Sequence, residues 1–381
     1  MSILRRLILV LLLFSAVLIA GQKELRFKVV NPLAIDRSGE IVVIPWKQIS
    51  TALPSLKPET VEIREAESGK IVLCQFIPDR QELVFQSDFK SRQKKEFLVS
   101  ERQSPKPTIQ SLTDVRFVLP REDVAWENDR IAFRAYGPAL AKDVKSGIDV
   151  WTKRVRYLIV EKWYKNDSVK SYHTDWGEGA DFFSVGKTLG AGSCALWENG
   201  KLIQPGVFSS YKIITTGPLK AIFELNYAPV EYKGMKVSEV ERISLDAGSN
   251  LNTIEVLFTA EGKKRSLEFA AGVVKRLKTQ SRINNSERWV SLWGPTNDKE
   301  ENGSLGTAVL MPKPSMRSSM EDTVHVLLIG RATLGKPVVY YSGAGWTRSG
   351  DFKNAKDWEQ YLTSFSQKVQ KPLIIKVSAT Q

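Results

Sequence analysis

Short runs in which apolar and polar positions alternate dominate this chain. "ELRFKVV", "EIVVIPW", "TVEIREA", "IVLCQFI" and "ELVFQS" are rich in β-branched and aromatic residues, and Gly, Pro, Asp or Ser interrupts them about every ten residues. They predict a small N-terminal β-sandwich over residues 22–105. The passage "SERQSPKPTIQSLTD" holds two prolines and no apolar period, which predicts a linker. Beyond it "DRIAFRAYG", "VRYLIVEKWY", "GVFSSYKIITTG", "LKAIFELNYAPVEY", "KVSEVERISLDAG" and "NTIEVLFTA" predict longer strands, so residues 106–381 are expected to form a second, larger and mainly β unit. Helical periodicity is scarce. One helix is predicted near 354–369, where Trp358, Tyr361, Leu362 and Phe365 recur at spacings of three and four.

The first residues follow another pattern. Arg5 and Arg6 precede an unbroken apolar run from Leu7 to Ala20 that closes on small residues, which predicts a cleaved signal peptide over 1–21 and an exported, periplasmic or secreted product. The run is shorter than the roughly 20 residues that span a bilayer, so no stable membrane span is expected after cleavage. Cys74 and Cys194 lie far apart in sequence and are expected to be buried thiols, not a disulfide.

Charge then narrows the partners. The chain carries +13, and about +11 once Arg5 and Arg6 leave with the leader, so it should attract polyanions. Export argues against nucleic acid and in favour of an acidic oligosaccharide. Phosphate-binding G-x-x-x-x-G-K, G-x-S-x-G, H-E-x-x-H and paired C-x-x-C motifs are missing, which leaves nucleotide, serine-hydrolase and structural-zinc chemistry unsupported.

Four polar clusters are candidates for chemistry. In "DRIAFRAYG", alternation puts Ile131, Phe133 and Ala135 on one strand face and Arg130, Arg134 and Tyr136 on the other, where guanidiniums can clamp a carboxylate; a solvated sheet face is the plainer alternative. In "IDVWTKR", Trp151 offers a stacking surface for a sugar and Lys153 a cation, set against a core tryptophan at a basic strand end. In "SYHTDWGEGADFF", one of only two histidines, His173, sits among Asp175, Glu178 and Asp181, with Gly177 and Gly179 permitting sharp turns and Trp176 available to substrate. Histidine suits proton transfer, with Asp175 or Glu178 as its orienting carboxylate. No cofactor is called for, although Asp175, Glu178 and Asp181 offer hard oxygens to Ca²⁺ in a spacing unlike an EF-hand loop. In the fourth cluster Glu224 and Glu241 are reserve acids or bases, and Glu239 shares a strand face with Glu241. His325, inside "VHVLLIG", is expected to be a packed strand histidine.

The phrases "AWENDRIAFRAYGPAL", "SGIDVWTKR", "YHTDWGEGADFFSVG", "ERISLDAGSNLN" and "YYSGAGWTRSGDF" together resemble the DUF4861 family of exported bacterial proteins, from about Leu112 to the C-terminus. The resemblance implies a large galactose-mutarotase-like β-sandwich, a supersandwich, behind the small N-terminal one. It also implies a setting of pectin- or ulvan-type polysaccharide breakdown, with a uronyl-oligosaccharide dehydratase as its most concrete activity. Such an elimination needs cations for the uronate carboxylate (Arg130, Arg134, Lys153), a base for the C5 proton and an acid for the leaving oxygen (His173, Tyr136). A glycoside hydrolase of acidic oligosaccharides and a non-catalytic glycan-binding or mutarotase-like protein are the alternatives.

Overall fold

The computed structural model describes residues 23–103, 105, 109–262, 265–296 and 300–377. The expected signal peptide and the prolines' immediate neighbourhood in the expected linker lie outside the described residues. The fold is mainly β, built of five sheets.

Two small sheets and the helix α1 (Trp46–Ala52) enclose an N-terminal core of Leu25, Phe27, Val42, Ile49, Phe85 and Phe97. Its first sheet is closed by the last strand of the chain, Ile374–Val377, which pairs antiparallel with Leu25–Val30. The last described strand thus completes the sheet of the first described one, an arrangement that local patterning cannot reveal. The three-stranded sheet of this unit packs through Ile77 and Val84 onto Ile222 of the large sandwich, and Gln75 joins the two by donating to Thr215 and to the Lys220 carbonyl.

The large unit is a sandwich in which an eight-stranded sheet faces two five-stranded sheets. One continuous core lies between them, formed by inward residues of all three sheets such as Trp126, Phe133, Phe223, Phe258, Phe269 and Leu328. The outer face of the eight-stranded sheet is covered by helix α3, Ala355–Gln370, which buries Trp358, Leu362 and Ser366 and is capped by Asn354 accepting from the Asp357 amide. The predicted helix agrees with α3 to one residue at either end.

One predicted strand is instead a helix. In "VRYLIVEKWY" the β-branched residues favour a strand, yet Val160–Asn166 forms α2. Tertiary contacts decide this: the buried Glu127 carboxylate accepts the amides of Ile159 and Val160 at 2.7–2.9 Å, satisfying donors a helix start leaves open, and Glu161 pairs with Lys165 one turn on. Helix α2 and the chain from 155 to 183 form a lid over the outer face of the sheet built on Asp123–Asn128, Ile131–Ala135 and Ile148–Lys153, burying Ala125, Ala132, Trp151, Val160, Trp163 and Tyr172 together. That sheet is thus covered on both faces, and the polar residues expected on a solvated face are enclosed.

Cys194 is buried and Cys74 half-buried, and no disulfide joins them. His325 is buried in its strand and accepts the Leu189 amide on Nε2.

Candidate functional site beneath and on the 171–183 loop

Antiparallel register places Arg134 directly across from Asp149. The guanidinium meets the Asp149 carboxylate from Nε and Nη2 at 3.0 and 2.6 Å, reaches Asp181 at 3.0 Å, and donates to the phenols of Tyr172 and Tyr136 at 3.2 Å. Asp123 lies 3.7 Å away. Burial works against the charge of Arg134, but Asp149 first, then Tyr136 and Asp181, hold it firmly protonated. Three carboxyl groups thus share one guanidinium in an enclosed space. Burial and the neighbouring Asp149 push Asp181 well up, and burial pushes Asp123 up to about 6.

This geometry yields a pH prediction. The folded-state pKa of Asp123 lies above its ordinary 3.8, so the folded protein binds that proton more tightly than the unfolded one. The associated stability is present at low pH and is lost as pH rises through the window from 3.8 to about 6. Asp123→Asn should therefore be more stable than wild type above that window, by about 1–3 kcal/mol, and equal to it in acid. Urea titrations across the pH range check this; a variant less stable than wild type at neutral pH would refute it.

The loop lies over the Arg134 cluster. Gly179 has φ +116°, and a Cβ there would sit 2.0 Å from the Thr152 carbonyl oxygen, so only glycine lets the loop return against the strand Ile148–Lys153. The Asp181 amide donates to the Tyr172 carbonyl, which sets His173 beside Asp181. Nδ1 of His173 lies 3.1 Å from the Asp181 carbonyl oxygen and 3.5 Å from its carboxylate. A carbonyl oxygen only accepts, so Nδ1 carries a hydrogen. The side chain is 59 % exposed. An exposed imidazole, held through Nδ1, thus stands on a buried arginine–carboxylate platform.

Two aromatic–cation pairs lie on the same loop and its neighbours. Lys170 lies over the ring of the exposed Trp176 at 5.2 Å, and Arg121 over the ring of Tyr172 at 5.4 Å. Arg121 also pairs with Asp167. The recess lined by Trp163, Tyr172, Thr174 and Trp176 measures about 30 Å³, too little to enclose a sugar ring, so a glycan would lie across the surface. A cleft of about 370 Å³ between the N-terminal unit and α3 has its charges already matched: Glu40 pairs with Lys368, and Arg37 is turned onto Asn31 and the Lys371 carbonyl.

Several sequence expectations need correction. Trp151 is not a sugar platform: it is fully buried, donates to Asp149 and stacks between Tyr172 and Trp163. Lys153 is no substrate cation, because its ammonium is enclosed against Glu127 at 2.6 Å and the Asn128 carbonyl. Arg134 is buried and saturated with partners, so it does not clamp a ligand, and Arg130 is held apart from it by Asp129 and Asp351. Tyr136 is buried with its hydroxyl on Arg134, and burial pushes its acidity far out of the working range. Neither Asp175 nor Glu178 orients His173. Asp175 binds Arg154 and the amides of Gly177 and Gly179. Glu178 is engaged by Tyr157, Lys162 and Trp163, whose hydrogen bonds outweigh burial and keep it below the usual range. The orienting residue is Asp181. With Asp175, Glu178 and Asp181 turned to separate partners, the Ca²⁺ reading of the loop fails as well.

Lys170, Arg121 and Tyr172 were missed. Their only trace in the sequence is adjacency to the loop or to the strand ends, and α2, which brings them over the sheet, was itself misread as a strand.

The family model described as "Domain of unknown function (DUF4861)" matches residues 29–375, from the first strand of the N-terminal unit to the last strand of the chain. A curated relative from Formosa agariphila, "Uncharacterized protein P7", is 31 % identical over 96 % of both chains. Among solved structures, a protein in the glycosyl hydrolase family 38 from Enterococcus faecalis aligns with TM-score 0.51 at 10 % identity over 94 % of this chain and 48 % of its own. An α-mannosidase from Enterococcus faecalis V583 gives 0.47 at 8 % identity, over 94 % of this chain and 46 % of its own. This chain spans about half the length of those two structures, and the likeness to the first is one of fold.

Proposed function

The chain belongs to the DUF4861 family, and from that premise we propose that it is an exported carbohydrate-active enzyme that eliminates across C4 and C5 of uronate-containing oligosaccharides. The observation that carries this reading is the placement of His173: Nδ1 is held by the Asp181 carbonyl on an exposed side chain, and Nε2 is left to serve as the base. Nε2 takes the C5 proton, the C5–H electron pair becomes the C4=C5 bond, and the C4–O bond breaks. The proton held on the imidazolium leaves with the departing oxygen, as water if C4 bears a hydroxyl and as a sugar alcohol if it bears a glycan. The Asp181 carbonyl, 3.1 Å from Nδ1, accepts the Nδ1 hydrogen throughout and steadies the imidazolium. Lys170 and Arg121 supply the cations that an α-proton beside a carboxylate requires for its acidity, and Trp176 supplies an apolar face for the ring.

Hydrolysis would call for two available carboxyls at a set separation. Both acidic residues in the exposed part of the loop, Asp175 and Glu178, are already bound to cations. This favours elimination.

The test is incubation of the mature protein with pectin-, ulvan- and glucuronan-derived oligosaccharides, followed by mass spectrometry and ultraviolet absorbance. Loss of one water with a new conjugated-uronate absorbance is expected. Fragments that gain water would replace the proposal with a hydrolase, and binding without change in mass with a lectin-like role. On a turned-over substrate, Trp176→Ala should raise KM about tenfold, roughly 1.4 kcal/mol, with kcat little altered, because stacking is felt equally in ground and transition states. An unchanged KM would remove Trp176 from the binding surface.

A further inference from the structure

The strand Met235–Asp246 turns Val237, Glu239, Glu241, Ile243 and Leu245 into the sandwich. Two glutamates thus occupy positions on an apolar face. They meet Cys194 from the opposing five-stranded sheet: its sulfur lies 3.3 Å from Oε1 of Glu239 and 3.5 Å from Oε1 of Glu241. All three are buried, and one ligand atom from each lies within 4.8 Å of the others. No Lys, Arg or His among the described residues forms an ion pair with either glutamate.

Such a cluster has two ways to exist in an apolar interior. It either keeps its protons or meets a cation, since two bare carboxylates would each cost several kcal/mol. A second observation separates the two. The hydroxyl of Tyr340, fully buried on the strand Val338–Trp346, is turned toward Cys194 beside Glu239 and Glu241 but meets no partner at full hydrogen-bond geometry. In a set of proton-sharing acids that phenol would donate to a carboxylate oxygen, yet it reaches neither glutamate at hydrogen-bond geometry. Ser342, two residues on along the same strand face, has a buried Oγ in the same condition. Tyr227, by contrast, donates to Glu241 at 3.2 Å and steadies that carboxylate from behind.

We propose that Cys194, Glu239 and Glu241 bind a thiophilic divalent cation of the zinc class, with the Tyr340 hydroxyl left to complete or hydrogen-bond the ligand set. Metal–sulfur and metal–oxygen bonds of roughly 2.3 and 2.1 Å at a tetrahedral angle separate sulfur from oxygen by roughly 3.6 Å, close to the two distances observed. A thiolate selects zinc over the hard ions Ca²⁺ and Mg²⁺. On binding, the thiol and any protonated carboxyl release their protons to solvent. The ion joins the two sheets of the sandwich from inside and lies apart from the His173 surface, so its role is to hold the fold.

The full chain should be produced in zinc- or cobalt-supplemented medium, so that metal can enter as the protein folds, and purified without chelator. Elemental analysis should find one metal ion per chain. The cobalt form should show a thiolate-to-cobalt charge-transfer band that is absent from Cys194→Ser, a near-isosteric change. Glu239→Gln should lower metal occupancy by about tenfold or more. Wild-type protein free of metal after both growths, or equal metal content in wild type, Cys194→Ser and Glu239→Gln, would overturn the proposal. In the first case the cluster is a set of proton-sharing acids; in the second the ion sits elsewhere.

Discussion

His173→Ala is expected to lower the elimination rate by about 10²- to 10⁴-fold, the range that a positioned general base contributes. Its unfolding free energy should change by less than about 0.5 kcal/mol, because the side chain is a surface group. The two measurements belong together: the imidazole lies 59 % exposed on the loop, and the fold beneath it is held by Arg134 and Asp149, so that the substitution removes only the ring contact with Tyr172 at 4.5 Å. Added imidazole should restore part of the rate in the variant, since a diffusing base can occupy the vacated position. A role in packing or orientation would not respond in this way. Wild-type turnover in His173→Ala would remove this residue from the reaction. Lost turnover without imidazole rescue would demote it to a positioning residue.

Arg134→Met is expected to be the most damaging single change to stability, costing about 3–5 kcal/mol. The substitution roughly preserves the buried volume but leaves Asp149 and Asp181, both nearly inaccessible, without the guanidinium that binds them at 2.6 and 3.0 Å. The cost comes from buried acid groups left without the donor that compensates them. Arg134→Lys should recover only part of the loss, since one ammonium cannot reach two carboxylates and two phenols in the arrangement the planar fork allows. Denaturant midpoints at neutral and acidic pH decide the matter. A variant as stable as wild type would show that the acids are neutral in the native protein and need no cation.

Both expectations depend on one architectural fact. The strand Ile131–Ala135 carries Arg134 on the face turned away from the main core, and that face is covered by α2 and the 155–183 chain. The same lid turns Trp151 and Lys153 from ligand-binding candidates into interior groups and leaves His173 and Trp176 outside. Whether a polar residue of this sheet is structural or accessible is thus decided by the path of the lid.

The sequence by itself determined the mainly β character, the long helix near 354–369 and the inward set Ile131, Phe133 and Ala135. All follow from periodicity, because burial of an apolar face is a local demand that each strand or helix expresses in its own residues. It also drew attention to 171–183, through a rare histidine and two glycines. Only the tertiary structure decided the rest. The partner of His173 is Asp181, eight residues on, and not the nearer Asp175, because the Tyr172–Asp181 backbone bond folds the loop back on itself. Val160–Asn166 is helical because Glu127, distant in sequence, caps it. The last strand serves the first sheet, and Glu239 and Glu241 meet Cys194 across a core, since each pairing joins residues whose separation along the chain leaves no local pattern to read.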